Sequence, residues 1–225
     1  MRPVDILYTP LDLPDPPTVD LDALVAWICR YQDEQEVRNR QDSSKLLKEA
    51  YPWNIIYCKN DYNWYKDFDK EFPDLAEYCD TVYGVPRTMI SDVVILHTKY
   101  DFAGEGFWHT DTDESGLRFF LDCQEPGEFL RMIPSKFPYN TRSQENILSD
   151  TDNKLQPTVL SARLLKPNQG FFINNIRAVH AVYTAEPGKM RISFSVTVNV
   201  PIRLMPRSLQ EVIVRSAEKY SDHAL

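Results

Sequence analysis

The chain predicts a mainly β domain with packed helices, built on a jelly-roll core, and three features carry that expectation. Eight short apolar or alternating segments fall within residues 89–200, each bounded by Gly, Pro, Asn or Asp, and eight strands is the number of a two-sheet jelly roll. The first third instead repeats its apolar residues every three or four positions, the period of a helix. A hydrophobic fraction of 43% with 4 Trp, 12 Tyr and 11 Phe in 225 residues is enough to fill a core. A single domain is therefore expected over 1–225, with helical support and first strands in 1–88, the jelly roll in 89–200 and a helix in 201–225.

The elements follow in order. Pro14, Pro16 and Pro17 make an extended lead-in. Asp20 can then cap a helix whose apolar row is Leu21, Leu24, Val25, Ile28 and Tyr31. Ser43 or Ser44 starts a second helical pattern through Leu46 and Leu47 that Pro52 stops, and 54–58 is a short strand. Pro73 suits a helix first turn, followed by Leu75, Tyr78, Cys79 and Val82 on one side. The eight strand candidates are 89–100, 106–111, 117–123, 128–133, 159–165, 170–173, 179–184 and 190–200. The polar run 134–157, with Pro134, Pro138 and Pro157, is too long for an ordinary connection and is expected to be a lid over one mouth of the barrel, or a disordered insertion. Ser208, with Glu211 three residues on, has the form of a capping box opening a last helix.

Composition excludes several classes of function. A formal charge of −8 and a pI near 5.1 argue against a nucleic-acid partner, which needs clustered Lys and Arg. Cys29, Cys58, Cys79 and Cys123 include no Cys-x-x-Cys, so reduced, partly buried thiols and a cytoplasmic setting are expected. No apolar stretch approaches a membrane span, and the N-terminus has no signal-like apolar region.

The chemistry centres on Tyr100–Asp111. His109 and Asp111 alternate, so on a strand they share a face and can share one metal ion. With 4 histidines and 20 aspartates, a His-x-Asp arises by chance in about one such sequence in three, so its company decides its weight. His180, in Ala-Val-His-Ala-Val, is the candidate third ligand, completing the two-histidine, one-carboxylate facial triad of non-haem Fe(II) oxygenases. Eleven residues later Arg191, Ser193 and Ser195 share one face of a strand-like run, where an arginine and a hydroxyl can bind a carboxylate.

Over residues 89–200 the order Tyr100, Gly104, His109-Thr-Asp111, Gly170, His180 and Arg191-x-Ser193 resembles the Fe(II)- and 2-oxoglutarate-dependent dioxygenases, in particular the branch with prolyl and aspartyl hydroxylases. The resemblance implies a cupin-like double-stranded β-helix. It implies Fe(II) bound by His109, Asp111 and His180, with Arg191 and Ser193 holding the distal carboxylate of 2-oxoglutarate and Tyr100 a further donor to it. It also implies O2 as cosubstrate, and succinate and CO2 as products. An aspartate at position 111, where related halogenases carry a small residue, favours hydroxylation, with desaturation or ring chemistry still open. Arg118, in an Arg-x-x-Leu pattern like that of enzymes hydroxylating aspartyl residues or free proline, binds either the cosubstrate or a substrate carboxylate, or is a surface arginine.

Other residues read more plainly. His97 fits a hydrogen-bonded core histidine, His223 has no role, Trp108 is core packing, and Asn174 and Asn175 orient a ligand or shape a turn. The expected partner is a small polar substrate, an amino acid or a metabolite derived from one. A protein hydroxylase acting on prolyl, asparaginyl or aspartyl side chains and a catalytically silent metal- or ligand-binding jelly roll are the alternatives.

Overall fold

The computed structural model describes residues 1–42, 53–98, 104–105, 115–121, 127–134, 159–175, 177–184 and 191–225. Within them the chain forms strand β1 (Tyr8–Pro10), helix α1 (Leu21–Asp42), strands β2 (Trp53–Asn60) and β3 (Asn63–Trp64), and helices α2 (Phe68–Glu71) and α3 (Pro73–Thr81). Strands β4 (Ile90–Thr98), β5 (Gly104–Glu105), β6 (Ser115–Leu121), β7 (Glu128–Pro134), β8 (Leu160–Arg163), β9 (Gly170–Asn174), β10 (Ala178–Thr184) and β11 (Ile192–Val198) follow, then helix α4 (Arg207–Lys219).

The strands make two antiparallel sheets, β1-β9-β6-β11-β4-β2-β3 and β5-β10-β7-β8. From β4 onward eight strands are shared between the sheets in the orders β9-β6-β11-β4 and β5-β10-β7-β8, so strands distant in sequence become neighbours. This is the jelly-roll arrangement. It is open rather than a closed barrel, because β1, β2 and β3 extend the larger sheet on both sides.

Period-two alternation divides the larger sheet into two faces. Val93 and Ile95 of β4, Leu117, Phe119 and Leu121 of β6, and Ile192, Phe194 and Val196 of β11 pack outward on Leu24, Trp27 and Ile28 of α1, on Phe68 and Leu75, and on Leu209 and Ile213 of α4. Phe119 and Phe194 stack with ring centroids 5.1 Å apart. On the inward face Tyr8, Phe120, Phe171 and Ile173 meet Phe129, Leu130, Met132 and Ala178 of the smaller sheet.

The helix carrying Cys79 is also tied to the sheet by charge. Lys59 of β2 donates to Asp80 of α3 at 2.7 Å, both side chains are buried, and the ammonium lies 5.1 Å from the Trp64 ring centroid. Among the described residues Cys29, Cys58 and Cys79 are free thiols, and burial pushes the thiols of Cys58 and Cys79 well up from their ordinary value. Cys123 lies outside the described residues. No helix among them is long and apolar enough to cross a membrane.

Several expectations hold and several need correction. Asp20 does cap α1, accepting from the Ala23 amide at 3.0 Å, and Pro73 does open α3. The Pro-rich lead-in is instead preceded by a strand: the three residues of β1 pair with β9 and are fully buried. The Ser208 capping box is not formed. Pro206 stands at the N-cap with extended ψ of 140°, so the helix begins at Arg207 and Ser208 sits inside its first turn, where its hydroxyl donates to the Gly84 carbonyl. Glu211 pairs with Arg207 instead. The expected helix after Ser43 and the 106–111 strand lie outside the described residues, as do residues 135–157 of the expected lid; Pro134 ends β7.

Candidate active site

Strand β10 positions the first functional side chain. His180 alternates with Ala178 and Val182, and both of these pack in the apolar cluster between the sheets. His180 therefore projects inward, and it is fully buried. Its Nδ1 lies 3.0 Å from the Ala178 carbonyl oxygen. An oxygen of that kind only accepts, so Nδ1 carries a hydrogen, and the neutral ring then keeps its lone pair on Nε2, the tautomer a metal-binding imidazole needs.

Strand β11 and the residue before it supply the second group. Ile192, Phe194 and Val196 turn outward into the helical core, which leaves Arg191 and Ser193 facing inward. Ser193 lies opposite Leu96 of β4 and Phe120 of β6, and Ser195 lies opposite Arg118. Because Leu117 and Phe119 point outward, Arg118 points inward with Phe120. Arg191 is further fixed by a hydrogen bond from Nη1 to the Tyr183 carbonyl of β10 at 2.6 Å, which joins the two sheets at this point.

Arg118, Arg191 and Ser193 meet in one cavity, lined also by Leu96, Phe120, Phe129, Leu130, Phe171 and Val182. Among the described residues its lining holds two arginines and no carboxylate. Arg118, Arg191 and Ser193 are all buried. Two guanidiniums beside one void can offer an anion two-bond contacts. The void measures about 410 Å³ with its open mouth included and leaves about 30 Å³ for the centre of a water-sized group, room for a water or the end of one carboxylate. Phe120, Phe129 and Phe171 form the apolar wall, with centroids 4.9–5.8 Å apart. Val182 lies two residues beyond His180 on the same face, a distance of about 7 Å along the strand.

The sequence candidates thus divide. The structure brings together Arg118, Arg191 and Ser193 in the cavity, and turns His180 inward on β10, the strand whose Val182 also lines it. Arg118 is a cavity residue, and the surface reading of it is corrected: β6 turns it inward and buries it. Tyr100, His109 and Asp111 lie outside the described residues. The strand β5, ending four residues before His109 in the chain, pairs Gly104 with Thr184 and Glu105 with Tyr183, on the strand that carries His180. Among the described residues no three His, Cys, Asp or Glu gather as a metal site.

His97 is a core histidine, as its strand position predicts. It lies beside Ile192 in register, faces the helical core, and is held below its ordinary pKa of 6.5 by burial. Asn174 and Arg177 both donate to the Val4 carbonyl, at 3.2 and 2.8 Å, and the Arg177 amide donates to the Asn174 carbonyl, so this pair shapes the turn into β10. Asn175 packs against bare backbone: a Cβ on Gly116 would stand 3.2 Å from its Oδ1 and 2.4 Å from Ile173 Cγ2. The three phenylalanines and Leu96 escaped notice as site residues because an apolar residue in an alternating strand carries no mark of which core it joins.

No family model matches the chain, and no curated protein matches it. Among solved structures it is similar to the non-haem alpha-ketoglutarate-dependent carbocyclase SnoK from nogalamycin biosynthesis, with a TM-score of 0.48 and 11% identity over 85% of this chain and 78% of that one. It is also similar to AviO1 from Streptomyces viridochromogenes Tue57, with a TM-score of 0.40 and 13% identity over 88% of this chain and 95% of that one. Likenesses this distant say nothing about which residues act.

Proposed function

We propose that this protein is an Fe(II)- and 2-oxoglutarate-dependent dioxygenase that hydroxylates an unactivated C–H bond of a small polar substrate, an amino acid or a metabolite derived from one. The observation that carries the reading is the buried cavity where Arg191, Ser193 and Arg118 converge beside the strand of His180. A narrow pocket with apolar walls and two guanidiniums suits one end of a dicarboxylate, and its place beside the strand of His180 suits a diacid whose other end reaches a metal.

The residues fit the metal the reading requires. His180 presents a neutral Nε2, and the motif His109-Thr-Asp111 offers an imidazole and a carboxylate, a donor set suited to Fe(II) with positions left open. Bound Fe(II), with 2-oxoglutarate and O2, would supply the oxidising power, with succinate and CO2 released. The chain supplies the rest. The Ala178 carbonyl fixes the ring of His180. Arg191 neutralises the distal carboxylate while Ser193 donates one hydrogen bond to it. Phe120, Phe129 and Phe171 exclude water, which strengthens both contacts. Arg118 either joins Arg191 on that carboxylate or meets one on the substrate, and the inward geometry supports the first role. Free thiols suit a reducing cytoplasm.

The test is metal content together with turnover. In His180→Ala, bound iron and succinate release are expected to fall together; iron at the wild-type level with undiminished 2-oxoglutarate consumption would remove His180 from the site. Succinate release with free amino acids and with peptides, followed by product mass for a gain of one oxygen, then tests the substrate class. Stimulation by peptides alone would replace the small-molecule reading with a protein hydroxylase, and no succinate from the iron-loaded protein would leave a silent binding module.

A further inference from the structure

A second concave surface lies away from the inter-sheet cavity. Helix α4 buries Leu209, Ile213, Ser216 and Ala217 against the core, so its remaining faces carry other residues. Arg207, Glu211 and Arg215 recur every four residues and form one row along the helix, about 12 Å long. Facing this row are the 3-10 turn at Pro3–Asp5 and a second such turn at Ile202–Leu204. Between them runs a groove of about 620 Å³, lined by Arg2, Pro3, Val4, Ile202, Arg203, Arg207, Gln210, Glu211, Val214 and Arg215, together with Met1. That volume is in the range of small-molecule sites.

Its charge runs against that of the chain. Four arginines and one glutamate line the groove, in a protein whose formal charge is −8. Arg2 is offset by Asp5 at 2.9 Å and Arg207 by Glu211 at 2.9 Å, both exposed pairs of small worth that an incoming anion can displace. Arg203 and Arg215 have no carboxylate partner among the described residues. The walls hold still: Gln210 donates to the Met205 carbonyl at 2.7 Å, the Met205 amide to Ile202, and the Asp5 amide to Arg2. Between the arginines the floor is apolar, made by Pro3, Val4, Ile202 and Val214.

We infer that this groove is a second binding site, for a phosphorylated small molecule, with Arg203 and Arg215 on the phosphate oxygens and the body of the ligand on the apolar floor. Guanidinium forks match phosphate geometry in two-bond contacts. An apolar body adds affinity that a bare anion lacks.

Isothermal titration of the full chain with pyrophosphate and with ADP tests the inference, using Arg203→Glu/Arg215→Glu as the variant. Both arginines are exposed, so the thermal midpoint of the variant is expected to match the wild type. Pyrophosphate binding is expected to weaken roughly ten-fold or more in the variant and to fall with added salt. ADP is expected to bind the wild type several-fold tighter than pyrophosphate. Equal pyrophosphate affinity in the two proteins, or none in the wild type, would overturn the site. ADP binding no tighter than pyrophosphate would overturn the role of the apolar floor.

Discussion

The two faces of strands β6 and β11 are made from one stretch of backbone each, yet they do opposite work. Outward, Leu117, Phe119, Ile192, Phe194 and Val196 meet the helices in an apolar core. Inward, at the alternate positions, Arg118, Arg191 and Ser193 sit among phenylalanines and face the smaller sheet. The outer face supplies cohesion that the inner face spends on holding two charges away from water. Residues one position apart should therefore fail in different ways when changed.

The largest expected effect lies outside. Phe194→Ala removes a fully buried ring stacked on Phe119, and should cost about 3–5 kcal/mol in urea denaturation, with 2-oxoglutarate turnover per folded molecule unchanged. Unaltered stability would break the division between the faces. Next comes Arg191→Gln on the inner face. Loss of one charged partner of a desolvated carboxylate costs about 2–5 kcal/mol, so 2-oxoglutarate affinity should fall roughly thirty- to several-thousand-fold, with iron content kept. If Arg118→Gln showed this defect and Arg191→Gln did not, the two arginines would exchange roles.

Ser193→Ala removes a single donor and should weaken 2-oxoglutarate binding by about 0.5–1.5 kcal/mol, read by titration of the metal-loaded protein. The smallest effect belongs to His97, the titratable side chain beside Ile192 on the outer face. Burial holds its folded pKa below 6.5, so the folded state keeps it neutral while the unfolded chain takes up a proton. Its contribution to stability is therefore complete above pH 6.5 and is lost as pH falls toward the folded value. His97→Gln should flatten the fall in thermal midpoint between pH 7 and 5; an unchanged slope would remove His97 from that dependence.

Much of this pattern was legible in the residues. Strict alternation in 190–198 puts Arg191 and Ser193 on the face opposite the apolar side chains before any coordinates are known, and Pro73 marks a helix start by its missing N–H. What escaped has physical reasons. Strand β1 is three residues long, too short for a period to show, and Pro10 argues against a strand except at an edge, where β1 lies. Ser208 carries a capping signal that Pro206, two positions earlier, overrides through its fixed φ. Phe120 and Phe119 are identical to a reader of sequence, although one lines the cavity and the other the helical core. Tyr100, His109 and Asp111 keep only the support of their motif.

The buried contact between Lys59 and Asp80 bears on how such a protein can change over generations. Losing either partner alone strands a charge in the core, at about 3–5 kcal/mol, a large part of the stability of a typical domain. Two well-packed apolar residues in their place would often be tolerated as well or better. The apolar alternative is thus separated from the present pair by a deep valley of single substitutions. A variant that replaces the pair with apolar residues therefore has to change both positions together to keep its stability.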